Sequence, residues 1–348
     1  MIFYTIYYLS IVFFLFTDYL FRNIKLFLFL VIGIVIFISG TRYNTGYDFY
    51  NYHVFYTHHL ADSLEPLFKL SVQILNLFSE DSQLMFFIYS FATILLIYFA
   101  ITKMTKYKKT SLFIFLLIPG LYLNTFSIIR QGIAEAFFLL AVYYFVYENK
   151  NLKFWFFSLI AIGFHYSAAL PVLLIYFFRK ILSIKYSITI YLILLSFSIF
   201  LYKINIAQIL ISLAPGKFDV YVEFIQNTSL IKIVVYNLFI VVLIIFKKQY
   251  IKAKSDLILL NFLFIGVLIL NVFADFIPVT RLSYYFFIFQ IILVPKFIYS
   301  FKDNNFKVIV LFLSLLYYIL IFLNALYLDS LSDSKYTMTP YQNYFFKD

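Results

Sequence analysis

Arginine is used sparingly in this sequence, and its positions are informative. The chain has five arginines among 27 basic residues. Three of them, Arg42, Arg130 and Arg281, stand beside other polar residues at the ends of apolar segments. A guanidinium group binds two oxygens of one anion, whereas an ammonium group acts as a point charge, so these three predict a phosphate or diphosphate ligand. The alternative is that each arginine only reaches towards lipid headgroups.

The richest polar segment is 39–56, SGTRYNTGYDFYNYHVFY. Arg42 and Asp48 bracket a turn marked by an asparagine and a glycine. Tyr47 and Tyr52 belong to a group of tyrosines whose rings offer an apolar plate and a hydroxyl edge, which suits a sugar. The alternatives are an aromatic belt at the membrane surface for the tyrosines and a turn-forming role for Asp48.

Two further polar sites lie next to apolar runs. In the segment IIRQGIAEAFF, Arg130 and Gln131 precede a helix, and Glu135 follows about one turn deeper. An acid inside a membrane span is costly and indicates a function, or else a structural partner for Arg130. His165 lies within the apolar stretch 154–178, where it serves either chemistry or a local hydrogen bond.

The sequence predicts no metal site. The loop histidines His53, His58 and His59 are scattered, and Asp62 is the nearest acid that could join them. No second pair of ligands stands elsewhere, so solvated histidines are expected. The chain contains no cysteine, which excludes disulfides, thiolate ligands and cysteine nucleophiles.

The composition sets the environment of these groups. Of 348 residues, 64% are hydrophobic and only 12% are charged, against roughly 25% charged in a soluble protein. The sequence therefore predicts an all-α, polytopic membrane protein with a single integral membrane domain over 1–348. The net charge of +11 is read as a topology signal and not as a nucleic-acid footprint.

The apolar runs predict about ten membrane-crossing helices and one short hairpin. The helices are expected near residues 1–17, 26–41, 83–101, 110–129, 132–147, 186–203, 230–246, 256–274, 282–300 and 308–327, and the hairpin at 154–178. Each helix is about long enough for a hydrocarbon core of roughly 30 Å.

Lysine distribution predicts the orientation. The loops 103–109 and 247–254 each carry four lysines and belong on the cytoplasmic side. A single crossing at 154–178 would place one of these loops outside, whereas a hairpin keeps both inside. This arrangement puts both termini and His165 on the outer face, together with the loops 42–82 and 204–229 and the tail 328–348.

The same residues form four motifs in a fixed order along the chain. They are R-x3-G-x-D-x3-Y (Arg42, Gly46, Asp48, Tyr52), RQ-x-x-A (Arg130, Gln131, Ala134), H-x-SA (His165, Ser167, Ala168) and R-x3-Y ahead of an apolar helix ending in proline (Arg281, Tyr285, Pro295). This set resembles the EpsG-like, Wzy-type polymerases of bacterial O-antigen, capsule and exopolysaccharide synthesis. The terminal TPYQNYFF is similar to the proline-tyrosine tails of such proteins.

The resemblance implies a membrane-embedded glycosyltransferase of the bacterial inner membrane, with its active site facing the periplasm or cell exterior. Its substrate would be an oligosaccharide repeat unit linked to undecaprenyl diphosphate, and the reaction would be inverting and metal-independent, without a cofactor. The lipid bilayer and a separate chain-length regulator are the expected partners, and nucleic acid is not.

The resemblance also implies roles for individual residues. Arg42, Arg130 and Arg281 would stabilise the negative charge of the leaving diphosphate. The sugar contacts would come from Tyr47, Tyr52, Gln131 and Tyr285. Asp48, His165 and Glu135 are the candidates for the base that accepts the acceptor hydroxyl proton. Asp48 is favoured, because a carboxylate in an outer loop is ionised, whereas His165 between apolar stretches is typical of a structural imidazole.

Two other functions remain open. A flippase for lipid-linked oligosaccharides, or another transporter, would need charged residues along a path through the membrane and often has inverted repeats. The sequence shows no repeat, and only Glu135 is clearly charged within a span. A structural partner of a polysaccharide assembly complex would not require three outer arginines.

Overall fold

The computed structural model describes residues 2–20, 25–58, 60, 64–212 and 230–347. Nearly all of its regular structure is helical, as predicted. The chain divides into two compact units, one of residues Met1–Ala168 with Leu311–Asp348 and one of residues Ala169–Val310. The predicted loop at 204–229 is described only as far as residue 212, and His59 and Asp62 lie outside the described residues.

The first unit contains most of the predicted site residues. Its elements are α1 (Ile2–Leu20), α2 (Lys25–Gly40), β1 (Arg42–Tyr43), α3 (Phe49–Thr57), α4 (Pro66–Asn76), α5 (Gln83–Met104), α6 (Lys108–Leu117), α7 (Asn124–Ser127), α8 (Ile129–Val142) and α9 (Asn151–Phe164). A π-helical turn at Tyr143–Tyr147 continues α8, and a 3₁₀ turn at Tyr166–Ala168 follows α9.

The second unit is also helical. Its elements are α10 (Ala169–Leu182), α11 (Ile188–Lys203), α12 (Ile206–Ser212), α13 (Leu230–Ile245), α14 (Lys247–Tyr250), α15 (Lys254–Val272), α16 (Ile277–Thr280), a 3₁₀ turn (Arg281–Ser283), α17 (Tyr284–Phe287) and α18 (Gln290–Ile298). The long helix α19 (Asn304–Ser330) begins in this unit, and its residues from Leu311 onwards belong to the first.

Several helices are long and apolar enough to cross a membrane, as a multi-pass membrane protein requires. Among the described residues there are four of them, Gln83–Met104, Ile129–Tyr147, Lys254–Val272 and Asn304–Ser330. A fifth candidate is the pair Ile277–Phe287 and Gln290–Ile298, bent by 47°. Other apolar helices are shorter. The predicted count of about ten spans is therefore not confirmed.

The prediction of one continuous helix over 110–129 is wrong. Helix α6 ends at Leu117, turns follow, and the short α7 precedes α8. The cause is the pair Pro119–Gly120, because a residue before proline is forced out of the helical region. Ile118 accordingly adopts φ −88° and ψ 107°.

The loop predicted over 42–82 contains two helices of its own, α3 and α4. Both fold onto α5 and α8 through one apolar core, in which α3 contributes residues at helical spacing. The core residues are Phe49, Tyr52, Tyr56, Phe68, Val72, Met85, Phe86, Tyr89, Ile129 and Ile133. This packing places the loop directly against the start of α8.

The C-terminal tail folds back onto the segment after α2. Gln342–Asn343 forms β2, which pairs antiparallel with β1 so that Arg42 faces Asn343. Asp329, at the end of α19, accepts hydrogen bonds from the Met338 amide at 2.9 Å and the Thr339 amide at 2.8 Å. The tail is thereby fixed against the same turn that carries the first predicted motif.

That turn requires its glycine. Gly46 has φ +105°, a conformation that favours glycine. A β-carbon at this position would lie 2.4 Å from the carbonyl oxygen of Phe126. Any side chain would therefore push the turn away from the segment that leads into α8.

Candidate active site

A carboxylate that the sequence motifs do not include lies at the centre of the site. Glu65 is the residue before α4, and its extended backbone (φ −60°, ψ 145°) follows from the proline that begins the helix. The side chain is only 6% exposed. A nearly buried carboxylate is stable only when cations or donors surround it, and two predicted site residues fill that role.

His165 is brought to Glu65 by a close approach of two helices. His165 ends α9 in extended backbone, with φ −157° and ψ 115°. Two residues earlier, a β-carbon on Gly163 would lie 2.7 Å from Cγ of Leu67 in α4. The absence of a side chain at Gly163 therefore allows α9 to lie against α4, and the two helix ends meet.

Glu65 joins an imidazole and a guanidinium through its two oxygens. Nδ1 of His165 lies 2.7 Å from Oε1, while Nη1 of Arg130 donates a hydrogen bond to Oε2. Nε of Arg130 also donates to the Tyr52 hydroxyl at 3.3 Å. These four residues come from four separate elements or loops of the first unit, and we call them the Glu65 cluster.

The electrostatics of the cluster keep the Glu65 carboxyl ionised. Burial by itself would raise the pKa of the Glu65 carboxyl, but the hydrogen bond from His165 and the charge of Arg130 outweigh burial and lower that pKa to about 2. Glu65 is therefore ionised at neutral pH and can only accept hydrogen bonds. It follows that Nδ1 of His165 carries a proton and that, in the neutral ring, Nε2 presents its lone pair.

The cluster is open to its surroundings on the side of its cation and its imidazole. The side chains of Arg130 and His165 are 21% and 26% exposed. The Arg130 guanidinium also lies over the rings of Tyr52 and Phe68, 5.7 Å and 5.6 Å from their centroids. These contacts hold the guanidinium in place while leaving part of it accessible to an anion.

Asp48 stands one helical turn before Tyr52, at the start of α3. Burial raises the pKa of the Tyr52 hydroxyl, and the negative charge of Asp48 raises it further while Arg130 opposes it. Asp48 is thus close enough to act electrostatically on the edge of the Glu65 cluster. Tyr47, 42% exposed, is the accessible ring of this turn, whereas Tyr52 is buried.

Arg42 lies in a different environment and is fully buried. Its Nε donates to the Phe126 carbonyl at 3.2 Å, and its Nη1 donates to the Ser39 carbonyl and to the Ser90 hydroxyl. The guanidinium carbon is 4.7 Å from the ring centroid of Phe86. Burial lowers the pKa of Arg42 to about 10. A role in diphosphate binding stays a prediction, and in this conformation the guanidinium is not exposed.

Glu135 does not partner Arg130, so that interpretation is wrong. Gln131 donates from Nε2 to Oε1 of Glu135 at 2.9 Å, and both side chains are buried. The partner of Arg130 is Glu65. The predicted contact of Gln131 with sugar and the predicted role of Glu135 as a base stay predictions.

Arg281 and Tyr285 belong to the second unit. Arg281 begins the 3₁₀ turn between α16 and α17 and is partly exposed, while Tyr285 in α17 is fully buried. Their predicted contacts with diphosphate and sugar stay predictions. Within the described ranges, no three histidine, aspartate or glutamate side chains lie close enough together to hold a metal ion.

The fold and the site define a polytopic helical membrane protein with an ion-paired arginine–glutamate–histidine cluster. Comparison with protein families makes this class specific. The EpsG family matches residues 24–343, nearly the whole chain, and the chain belongs to this family of Wzy-like polysaccharide polymerases. The resemblance inferred from the four motifs is therefore confirmed. No curated protein and no solved structure matches the chain.

Proposed function

We propose that this protein joins oligosaccharide repeat units linked to undecaprenyl diphosphate, on the outer face of the bacterial inner membrane. The membership in the EpsG family supports the class of reaction, a glycosyl transfer that lengthens a polysaccharide. The observation that carries the chemistry is the bridging carboxylate of Glu65, which holds a base and a cation side by side.

The reaction forms one bond and breaks another. The acceptor sugar hydroxyl attacks the anomeric carbon of the growing chain, and the bond from that carbon to the lipid diphosphate breaks on the opposite face, with inversion and without a metal. The hydroxyl proton goes to a base, and the bonding electrons leave with the diphosphate. The site must therefore accept a proton at one point and stabilise a growing negative charge at another.

His165 is the proposed base. Its Nδ1–H is directed at Oε1 of Glu65, so Nε2 is the nitrogen left to accept a proton, and the carboxylate stabilises the imidazolium that forms. This assignment replaces Asp48, the residue favoured by the sequence. Asp48 lies a helical turn from Tyr52 and acts on the cluster through its charge.

Arg130 is the proposed ligand of the lipid diphosphate. Nη1 is bound to Glu65 and Nε to Tyr52, which orients the guanidinium fork while part of the group stays exposed. A guanidinium oriented in advance stabilises charge in the transition state without reorganising. Because Glu65 binds His165 and Arg130 through its two different oxygens, one carboxylate holds the proton acceptor and the cation next to each other.

Turnover of purified enzyme with lipid-linked repeat units tests this assignment. We expect His165→Gln to lower turnover by roughly 10²–10⁴-fold, the usual contribution of a general base. The matched control is His58→Gln, an exposed histidine at the end of α3, which should leave turnover unchanged. An active His165→Gln enzyme beside an inactive, folded Asp48→Asn enzyme would return the role of base to Asp48.

Deletion of the gene distinguishes polymerase from flippase in cells. Electrophoresis of surface glycan should show loss of long chains with retention of the single-repeat product. Loss of all surface glycan would contradict the proposal, because an outer-face polymerase acts after the lipid-linked unit has crossed the membrane. Complementation with His165→Gln, at matched protein amounts, should reproduce the deletion pattern.

A further inference from the structure

A groove in the first unit lies outside the Glu65 cluster and has no part in the proposed reaction. It has a volume of about 1100 Å³ and runs along α2, between α1 and the C-terminal tail. This volume lies just above the usual range of small-molecule pockets, roughly 300–1,000 Å³. The groove is therefore large enough for a ligand with long hydrocarbon chains.

The walls of the groove are apolar along most of its length. They include Phe3 of α1 and Phe29, Ile34 and Phe37 of α2. Phe29 and Phe37 are 62% and 49% exposed. In a multi-pass membrane protein, the exposed apolar face of a helix such as α2 contacts the hydrocarbon chains of lipids. Where that face forms a groove, the groove confines the chains.

Space is left open at the middle of the groove by a glycine. Gly33 lines it, and a β-carbon on Gly33 would meet no heavy atom within 4 Å. The residue is therefore not required by close packing of the backbone, in contrast to Gly46 and Gly163. A larger side chain at this position would occupy the groove itself.

The polar end of the groove lies where α2 gives way to β1. The tail supplies Gln342 and Lys347 there, and both side chains are exposed. The Lys347 ammonium lies over the ring of Tyr344, 3.8 Å from its centroid, and 5.3 Å from that of Tyr43. Two aromatic faces thus hold one positive charge at the end of an apolar channel.

The single positive charge at the polar end favours a ligand with one negative charge. Lys347 is the one charged residue among the described residues that line the groove. A phosphodiester carries one negative charge, whereas a lipid diphosphate carries at least two and would leave one uncompensated. We propose that this groove binds one molecule of an anionic phospholipid of the bilayer, with its chains along α2 and its phosphodiester beside Lys347.

Lipid binding to the purified, full-length protein in mild detergent tests the proposal. Native mass spectrometry with added phosphatidylglycerol or phosphatidylcholine gives the dissociation constant for each. We expect tighter binding of phosphatidylglycerol. Gly33→Trp should raise its dissociation constant by at least about tenfold, because the indole fills the groove. The control is Leu9→Trp, an exposed position on α1 that does not line the groove.

The headgroup is tested separately. Lys347→Gln should remove the preference for phosphatidylglycerol over phosphatidylcholine, while Lys335→Gln, elsewhere in the tail, should keep it. Unchanged phosphatidylglycerol binding in Gly33→Trp would overturn the proposal. So would displacement of phosphatidylglycerol by a polyprenyl diphosphate at lower concentration, since the groove would then belong to a substrate. If Gly33→Trp does not fold, the smaller Gly33→Leu replaces it, and unchanged binding in that variant would overturn the proposal equally.

Discussion

Two arginines of the same unit, predicted for the same task, occupy contrasting surroundings. Arg42 is fully buried and donates to two carbonyls and a hydroxyl. Arg130 is partly exposed and pairs with a carboxylate that also holds an imidazole. The first ties α2 to α5 and to the segment before α8, whereas the second keeps part of its guanidinium exposed.

The difference shows what an arginine needs in order to act on a ligand. Two nitrogens of Arg42 donate to buried acceptors, the carbonyls of Ser39 and Phe126 and the Ser90 hydroxyl, so replacing the arginine removes these hydrogen bonds from a buried place. Arg130 keeps an accessible face. The residues that position it, Glu65 and Tyr52, remain in place when Arg130 is substituted. Residue type is the same in both cases, and the surrounding core decides the role.

Glu65→Gln, which removes the carboxylate that pairs with the partly exposed Arg130, should have the largest effect on turnover. The amide cannot compensate Arg130 or stabilise a protonated His165, so both proposed functions fail together. We expect turnover to fall by about 10³–10⁴-fold, as when the carboxylate of a catalytic triad is neutralised. Steady-state turnover of purified protein measures it. Glu80→Gln, in the exposed turn between α4 and α5, is the control.

Arg130→Lys should lower turnover by on the order of a hundredfold or more, although the charge is kept. Lysine lacks the planar fork that binds Glu65 and a phosphate oxygen together. Arg179→Lys, in the last turn of α10, is the control and should behave as wild type. Near-normal turnover in Arg130→Lys would show that a point charge is sufficient and would break the contrast with Arg42.

Acid stability should depend on Glu65. The pKa of its carboxyl is about 2 in the folded protein against 4.5 ordinarily. The stabilisation is therefore present above pH 4.5 and is lost as the pH falls from about 4.5 to about 2. We expect it to be on the order of 2 kcal/mol, allowing for water at the cluster. Thermal unfolding across this range should show the loss in wild type and a flatter profile in Glu65→Gln.

Arg42→Lys should change stability more than chemistry. An ammonium group cannot reach all three acceptors, so we expect about 1–3 kcal/mol of destabilisation. Thermal unfolding in detergent measures this, and turnover per folded molecule should stay close to wild type. A stable but inactive Arg42→Lys protein would indicate that Arg42 contacts the substrate diphosphate, as the sequence predicts, in a conformation other than this one.

Glu135→Gln should have the smallest effect. The amide keeps the shape of the side chain and can still accept the hydrogen bond from Gln131. Turnover and unfolding temperature should both remain near wild type. A large loss of turnover in the folded variant would identify Glu135 as a proton carrier and would move part of the chemistry away from Glu65.

The sequence predicts the helical membrane class and the family, because composition and the order of motifs along the chain can be recognised without knowing how the helices pack. It also selects Arg130 and His165. It misses Glu65, which belongs to none of the four motifs. The one local signal was an acidic residue before the proline that begins a helix in the long polar loop. That Glu65 meets His165 depends on the approach of α9 to α4 at Gly163, a contact across nearly 100 residues that no local pattern contains.

The pairing of the tail with β1 also sets an order of events during synthesis. The turn that carries Tyr47 and Asp48 is held partly by residues 337–343, which leave the ribosome almost 300 residues later. N-terminal segments insert and fold first as a chain is made. An unfinished chain in the membrane can therefore pack α2 against α5 but lacks the last support of this turn. Synthesis of residues 337–343 therefore precedes completion of the surface beside the site.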